Sequence, residues 1–244
     1  MFSQVGDRLL STRRKMTRLE ICLSANDFSA QWVLHHWIPF LLELENHGIE
    51  LAGIHHVSGS LVPEERMMTL GYVPGYPLRE FKAPWNGKED YTHILFIDSD
   101  ILWTYQDFEK LLNADKQIIS GAYMKDERGN LACALLHEDW KRHVPGSLIS
   151  LTLKDIEGKT QPIEVVSGAL GFQLVQNGVF EKLPQPYFAC APVDLYRNGD
   201  KYLIGEDVWF SLQAARADIK SWCHPEVILP HVKRSAWVPQ RVIK

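Results

Sequence analysis

Apolar runs that end in polar or turn residues recur through the first half of the chain, and they predict buried β-strands. Short runs bounded in this way are typical of strands covered on both faces of a sheet. The runs lie at residues 19–23, 49–57, 94–97 and 116–123. The third of them, Ile94-Leu95-Phe96-Ile97, stops abruptly at the acidic tripeptide Asp98-Ser99-Asp100.

Segments between these strands have apolar residues at helical spacing. Residues 28–46 carry Trp32, Trp37, Phe40 and Leu44 near this spacing, and Pro39 predicts a kink or a break in that helix. Proline and acidic residues at 63–66 predict a second helix start, and residues 106–113 predict a short helix. Strands that alternate with helices favour a largely parallel sheet flanked by helices.

The second half of the chain predicts shorter elements and a mixed or antiparallel region. We expect strands at 131–136, 148–153, 163–166, 219–223 and 227–229, and helices at 176–183 and 208–217. The fold class is therefore α/β, with one domain at residues 19–244 and a Rossmann-like, mixed but mostly parallel central sheet. Residues 1–18 form a basic segment that we expect to be a solvated tail.

Composition narrows the function classes. The chain has 244 residues and a net charge of −4, which argues against nucleic acid as a partner. Its four cysteines are scattered without a CxxC pair, which favours reduced thiols over a disulfide or zinc framework. No apolar run approaches the length of a transmembrane segment, and residues 1–18 lack the apolar core of a signal peptide. We expect a cytoplasmic protein whose basic segment is able to bring it to an anionic membrane surface.

The first candidate site is Asp98-Ser99-Asp100. Burying two carboxylates at the end of a strand costs folding free energy unless the carboxylates are paired, hydrogen-bonded or bound to a metal. Hard oxygen ligands at the carboxyl edge of a sheet favour a divalent cation, so Asp98 and Asp100 are candidate metal ligands. The alternative is that these aspartates only cap a strand-to-helix turn.

The second candidate is the acidic pair Glu206-Asp207 in the sequence GEDVWF. Acidic residues at a helix start complement the helix dipole and cap free N–H groups, which is a sufficient structural reason for them. The same position is also a rigid place for a general base, and the two roles do not conflict.

His231 is the third candidate, because it follows another apolar strand end at residues 227–229. Its imidazole is able to complete a Mn²⁺ site that carboxylates begin, although many histidines at such places are only hydrogen-bonded structural groups. Lys233 lies just beyond it, where an ammonium group would neutralise a diphosphate.

The fourth candidate is the glycine-containing turn Ser167-Gly168-Ala169-Leu170-Gly171-Phe172. Glycine lets a backbone turn sharply or approach a ligand closely, and a β-bulge would explain the same residues. The chain has neither GxGxxG nor GxxxxGK[ST], so a Rossmann dinucleotide site or a P-loop is poorly supported.

The order of these motifs resembles that of the nucleotide-sugar-dependent glycosyltransferases of the GT-A fold. A strand ending in DxD is followed by SGxxGF, by GEDVWF and by a late histidine. The similarity is to the compact family-2-like enzymes of bacteria, phages and large viruses, and it extends over residues 19–233. It implies a GT-A-type domain that moves a sugar from a UDP- or GDP-linked donor to a glycan or another hydroxyl acceptor, with inversion as the expected stereochemical outcome.

The resemblance also implies roles for particular residues. The metal, Mn²⁺ or Mg²⁺, would be held by Asp98, Asp100 and His231. Asp207 would be the base that deprotonates the acceptor, with Glu206 as the alternative. The residues implied to contact the nucleotide or the sugars are Ser24, Asn26, Arg66, Asp98, Ser99, Gly168 and Lys233. Arg66 departs from the pattern, because its helix reads Glu65-Arg66-Met67 where the family often has an Ala-Arg-Asn-like run.

Two other functions remain compatible with the sequence. A nucleotidyltransferase or phosphoryl-transfer enzyme would use the same two aspartates, although it would need further carboxylates for a second metal. A binding module that has lost activity is the third reading, and the retained acidic residues together with His231 argue against it.

Overall fold

The structure is a computed structural model, and it describes residues 16–24, 33–59, 61–126, 128–136, 148–194 and 199–232. Asn26 and Lys233, two of the predicted binding residues, lie outside these ranges, as does nearly all of the basic segment. The strands are β1 (Arg18–Ser24), β2 (Glu50–Val57), β3 (His93–Asp98), β4 (Ile118–Tyr123), β5 (Asn130–Leu136), β6 (Leu148–Thr152), β7 (Ile163–Val165), β8 (Phe172–Gln176), β9 (Ala191–Val193), β10 (Tyr202–Ile204) and β11 (Ser221–Leu229). The α-helices are α1 (Ile38–Asn46), α2 (Val62–Thr69), α3 (Tyr105–Asn113), α4 (Leu153–Ile156) and α5 (Glu206–Arg216).

A seven-stranded mixed sheet forms the centre, in the order β2-β1-β3-β8-β4-β11-β7. β1 pairs in parallel with β2 and β3, and β4 pairs in parallel with β11. β8 runs antiparallel to both β3 and β4, which therefore point the same way on either side of it. Five strands thus share one direction, and their carboxyl ends meet at one edge. This confirms the predicted α/β fold with a mostly parallel sheet flanked by helices.

Both faces of the sheet are covered, and this explains the continuous apolar runs. Along β3, Leu95 and Ile97 pack with residues of α1 and α3, including Phe40 and Phe108. Ile94 and Phe96 point to the other face, where Met67 of α2 and Phe210 of α5 cover them. Burying a side chain of this size stabilises a fold by about 1.5–3 kcal/mol, so a strand between two helical layers has no polar alternation.

Two small antiparallel sheets lie outside the central one, as the mixed pattern of the second half indicates. β5 pairs with β6, and β9 pairs with β10. A third apolar cluster joins β5 and β6 to the central sheet through Leu131, Cys133, Leu151 and Cys223. In the part of the chain that the structure describes, no helix has the length and the apolar character needed to span a membrane.

Three local predictions change. The helix expected over 28–46 is described from Val33 onward as a π-helical turn, Val33–Trp37, followed directly by α1, so the change of helix type falls next to Pro39. The helix predicted at 176–183 is wrong. β8 runs through Gln176, Gly178 has a φ of +88°, and only a 3₁₀ turn follows at Phe180–Lys182. The two short strands expected after residue 219 are one strand, β11, with a register shift between Cys223 and Ile228.

Candidate functional site

The acidic turn 98–100 lies at the carboxyl edge of the sheet and is bonded to two neighbouring segments. The backbone N–H of Asp98 donates to the carbonyl of Gly171 at 2.9 Å. On the other side, the N–H of Val232 donates to the carbonyl of Asp100 at 2.7 Å, and Ile101 forms a β-bridge with His231. The backbone therefore brings three of the predicted motifs together: the DxD turn, the glycine-containing turn and the late histidine.

The side chain of Asp98 is paired with Arg66 of α2. Arg66 Nη2 lies 3.0 Å from Asp98 Oδ1 and donates a hydrogen bond to Oδ2 at 3.2 Å. Arg66 Nε lies 3.5 Å from Oε1 of Glu206, the first residue of α5. One guanidinium group thus joins the end of β3 to the start of α5, and we call these three residues the arginine cluster.

The arginine cluster is an internal feature of the fold. The Arg66 side chain is only 4% exposed, and the Asp98 and Glu206 side chains are largely covered as well. Burial alone would lower the pKa of Arg66, but the charges of Asp98 and Glu206 outweigh it, and the pKa is raised. Arg66 therefore carries its charge inside the protein, where two carboxylates balance it.

Asp100 makes a different pair, with His231. His231 Nε2 lies 2.9 Å from Asp100 Oδ2, and Nδ1 lies 2.8 Å from the backbone carbonyl oxygen of Met124. A carbonyl oxygen only accepts, so Nδ1 must carry the proton that is donated to Met124. In a neutral imidazole Nε2 then has a lone pair that faces a carboxylate oxygen. This contact is stable only with a cation between the two atoms, either a proton on Nε2 or a metal ion.

Tyr123, the last residue of β4, lies between the two charged pairs. Its hydroxyl oxygen accepts a hydrogen bond from the N–H of Gly171 at 3.2 Å, and its ring stands edge-on to the His231 ring at 5.2 Å. A Cβ atom at position 171 would be 2.8 Å from the Tyr123 hydroxyl and 3.0 Å from Asp98 Oδ2, which explains why this position needs glycine.

Gly168 has a similar steric reason. A Cβ atom there would lie 2.7 Å from Nε2 of Gln173 and 3.0 Å from Oγ of Ser120, both of which are fully buried. The hydroxyl of Ser120 accepts from the N–H of Ala169 at 3.2 Å. The predicted close approach at Gly168 is therefore an approach to the protein's own polar side chains.

The acidic pair begins α5, as the sequence predicts. Gly205 is the N-cap, and the Glu206 carboxylate belongs to the arginine cluster. Asp207 Oδ1 accepts from the N–H of Val208 at 2.7 Å, which fixes the carboxylate at the helix start. Of the two acidic residues, only Glu206 has an ion pair with Arg66 in the described structure.

Two further predicted binding residues that the structure describes, Ser24 and Ser99, lie along the same edge. Ser24 ends β1, and its backbone pairs in register with Asp98 of β3. Ser99 is half-buried in the turn between the two aspartates. Gly171 belongs to the predicted glycine-containing turn, whereas Tyr123 and Met124 were not predicted as site residues, although their position at a strand end was visible in the sequence.

The predicted metal ligands are only partly brought together. Within residues 16–232 as far as they are described, no group of three or more His, Cys, Asp or Glu side chains is arranged to hold a metal. Asp100 and His231 do fit a divalent cation. Their 2.9 Å separation matches the roughly 3 Å between neighbouring ligands of an octahedral ion, and His231 is oriented through a backbone carbonyl, as metal-ligating histidines usually are. Asp98 faces Arg66, so its role as a direct ligand stays a prediction.

Three solved structures are similar to this chain at low sequence identity. The crystal structure of A197 from STIV is 18% identical, with a TM-score of 0.46, over 93% of this chain and 100% of that one. GalNAc-T7, crystallised with UDP, GalNAc and Mn²⁺, is 13% identical, with a TM-score of 0.46, over 91% of this chain and 45% of that one. The inositol-1-phosphate CTP transferase from T. maritima is 10% identical, with a TM-score of 0.43, over 89% of both chains.

These similarities do not define a function. Every TM-score is below 0.5, so the activities and ligands of the three proteins do not transfer to this chain. No protein-family profile matches the sequence, and no curated protein matches it either. A functional assignment therefore depends on the residues of the site itself.

Proposed function

We propose that this protein is a metal-dependent glycosyltransferase that moves a sugar from a nucleoside-diphosphate sugar to a hydroxyl acceptor, with inversion. The observation that carries the proposal is the Asp100–His231 contact at the carboxyl edge of the sheet. Nδ1 of His231 is committed to Met124, so the Nε2 lone pair and the Asp100 carboxylate together present one nitrogen and one oxygen ligand. Such a donor set suits Mn²⁺ or Mg²⁺.

The charge of the reaction explains why a cation belongs there. Breaking a sugar–phosphate bond leaves new negative charge on a nucleoside diphosphate, and a bound divalent cation would stabilise that charge. Asp100 and His231 would hold this ion, and Asp98 is retained in the proposal as a further carboxylate beside it. Ser24, Asn26, Ser99 and Lys233 are proposed to contact the nucleotide.

Arg66 supports the recognition of an anionic donor. Its Nη1 atom is buried, and no described residue accepts a hydrogen bond from it. A buried guanidinium N–H without an acceptor loses its hydrogen bonds to water without replacement, which costs free energy. A phosphate or sugar oxygen of the donor would accept this hydrogen bond. Arg66 would then bind the donor with Nη1 while Nη2 remains on Asp98.

Asp207 is the proposed general base. An alcohol is a poor nucleophile at neutral pH, and a carboxylate within reach of its proton raises its reactivity. The Glu206 carboxylate is engaged in the ion pair with Arg66 at 3.5 Å, whereas the Asp207 carboxylate is outside that pair and is oriented by the backbone N–H of Val208. Gly168 and its neighbours would border the donor and acceptor sugars.

We propose that the reaction takes place in the cytoplasm, because all four cysteines are free thiols and Cys190 is exposed.

The first test is a thermal-shift screen of UDP- and GDP-linked sugars, which selects the donor that raises the melting temperature. The second test measures the release of nucleoside diphosphate from that donor, with Mn²⁺ and with a chelator. Asp207→Asn should lower the turnover by about 100-fold or more while the protein still melts cooperatively, because a positioned base contributes about 10²–10⁴-fold. Glu206→Gln is the matched variant and should keep more of the activity.

Two outcomes would contradict this assignment. Full activity in Asp207→Asn, with loss in Glu206→Gln, would make Glu206 the base. Release of pyrophosphate from a nucleoside triphosphate, without turnover of any nucleotide sugar, would instead establish a nucleotidyltransferase.

A further inference from the structure

Tyr123 contacts Gly171, which is bonded to Asp98, and it also contacts His231, the partner of Asp100. The proposed chemistry gives Tyr123 no role of its own. We propose that Tyr123 is a positioning residue, whose ring orients His231 and whose hydroxyl fixes the Gly171 backbone beside Asp98. One side chain would then set the spacing between the arginine cluster and the Asp100–His231 pair. The inference rests on the proposed function, because it assigns Tyr123 to the same site.

The ring supports the first part of this role. The Tyr123 and His231 rings have centroids 5.2 Å apart and an interplanar angle of 66°, so the edge of one ring faces the other. Such contacts favour one ring orientation over others. The hydrogen bond from Nδ1 to Met124 fixes one side of the imidazole, and Tyr123 limits its rotation about that bond. Nε2 is thereby held toward Asp100.

The hydroxyl supports the second part. It accepts from the N–H of Gly171, and the carbonyl of Gly171 accepts from the N–H of Asp98 at 2.9 Å. Tyr123, Gly171 and Asp98 therefore form a continuous hydrogen-bonded path from the end of β4 to the end of β3. A shift of the hydroxyl would move the Asp98 backbone, and with it the carboxylate that pairs with Arg66.

The hydroxyl also keeps its proton. Burial raises the pKa of Tyr123, and the nearby Asp98 charge raises it further. A neutral hydroxyl whose oxygen already accepts from Gly171 still has one O–H to donate. Phenylalanine would fill the same space in the apolar clusters around this ring, so packing alone does not explain a tyrosine at this position.

The ring and hydroxyl roles are separated by two variants, Tyr123→Phe and Tyr123→Leu. Amide hydrogen exchange at Gly171 reports the hydroxyl contact without any metal or substrate, and electron paramagnetic resonance of free Mn²⁺ reports the affinity of the Asp100–His231 pair. Tyr105→Leu is the matched control, because Tyr105 is a buried tyrosine of the same core cluster whose ring contacts are to His47 and Phe108 and not to His231.

We expect the two variants to differ. Tyr123→Phe should speed exchange at the Gly171 amide about tenfold while Mn²⁺ affinity stays within about twofold of the unaltered protein, since the ring remains. Tyr123→Leu should speed exchange equally and also weaken Mn²⁺ binding about tenfold, at the lower end of the effect of removing groups that orient a ligand. Tyr105→Leu should change neither measurement.

Other results would overturn the inference. Unchanged exchange at Gly171 in Tyr123→Phe would exclude the hydroxyl role, and equal Mn²⁺ affinity in Tyr123→Leu and the unaltered protein would exclude the ring role. A similar loss in Tyr105→Leu would show a general structural effect. If the unaltered protein binds Mn²⁺ but turns over no nucleotide sugar, the proposed function fails while both measurements on Tyr123 still decide its role.

Discussion

Asp98 and Asp100 are two residues apart in the same turn, yet they occupy opposite environments. The Asp98 side chain is 25% exposed and faces an arginine that is 4% exposed, whereas the Asp100 side chain is 48% exposed and faces His231. Asp98 belongs to a cluster that links β3, α2 and α5. Among the described residues, the Asp100 side chain pairs with His231, whose ring is oriented by a backbone carbonyl.

The difference assigns separate tasks to the two aspartates. A buried charge cluster is costly to disturb, because removing one member leaves the others without compensation in a region of low dielectric constant. A half-exposed pair contributes little to stability and is free to exchange its contact for an ion. The arginine cluster therefore supports the structure of the site and leaves only Arg66 Nη1 for the proposed donor, whereas the Asp100–His231 pair is the part that is available to bind a metal ion.

Arg66→Met should have the largest effect on stability. It leaves the Asp98 and Glu206 carboxylates buried without a counter-charge, and breaking a buried pair from one side costs about 3–5 kcal/mol. Urea unfolding monitored by circular dichroism would measure the loss. Arg79→Met, at an exposed arginine in the 3₁₀ turn Leu78–Glu80, is the control and should change stability by less than about 0.5 kcal/mol. Equal effects of the two changes would mean that the cluster has no structural role.

The contrast between the aspartates also shows what a sequence is able to predict here. The strand before the DxD turn follows from its apolar run, and the meeting of this turn with His231 follows from the parallel direction of the strands that precede them. The partner of Asp98 does not follow, because Arg66 is 32 residues from Asp98 and reaches it only through the packing of α2 against β1 and β2.

The mistaken helix at 176–183 has a comparable origin. Its apolar residues, such as Val179, Phe180 and Leu183, are buried because a short turn packs into the core beneath α5, and not because they line one face of a helix. Apolar residues at helical spacing over only two turns do not distinguish a helix with one buried face from a short turn that packs into the core. The strand pairing of Gln176 and the positive φ of Gly178 decide the structure, and both depend on the tertiary fold.

Gly171→Ala should have the second largest effect, on the Asp98 side of the comparison. The new methyl group would meet the Tyr123 ring at 2.9 Å, its hydroxyl at 2.8 Å and Asp98 Oδ2 at 3.0 Å. Overpacking of this kind costs about 1–3 kcal/mol, which urea unfolding would again measure. Part of this cost should disappear in a Tyr123→Phe background, where the nearest of these atoms is absent. An unchanged cost in that background would show that the hydroxyl does not limit the space at position 171.

Asp100→Asn should have the smallest effect on stability and the clearest effect on binding. The half-exposed pair with His231 contributes about 0–1 kcal/mol, so the melting temperature should stay close to that of the unaltered protein. Mn²⁺ affinity should fall about tenfold or more, because an amide oxygen lacks the charge of a carboxylate, and isothermal titration would measure it. The comparison would be reversed if Asp100→Asn destabilised the protein as much as Arg66→Met and left metal binding intact. Asp98 would then be the residue that is free to bind, and Asp100 the one that supports the fold.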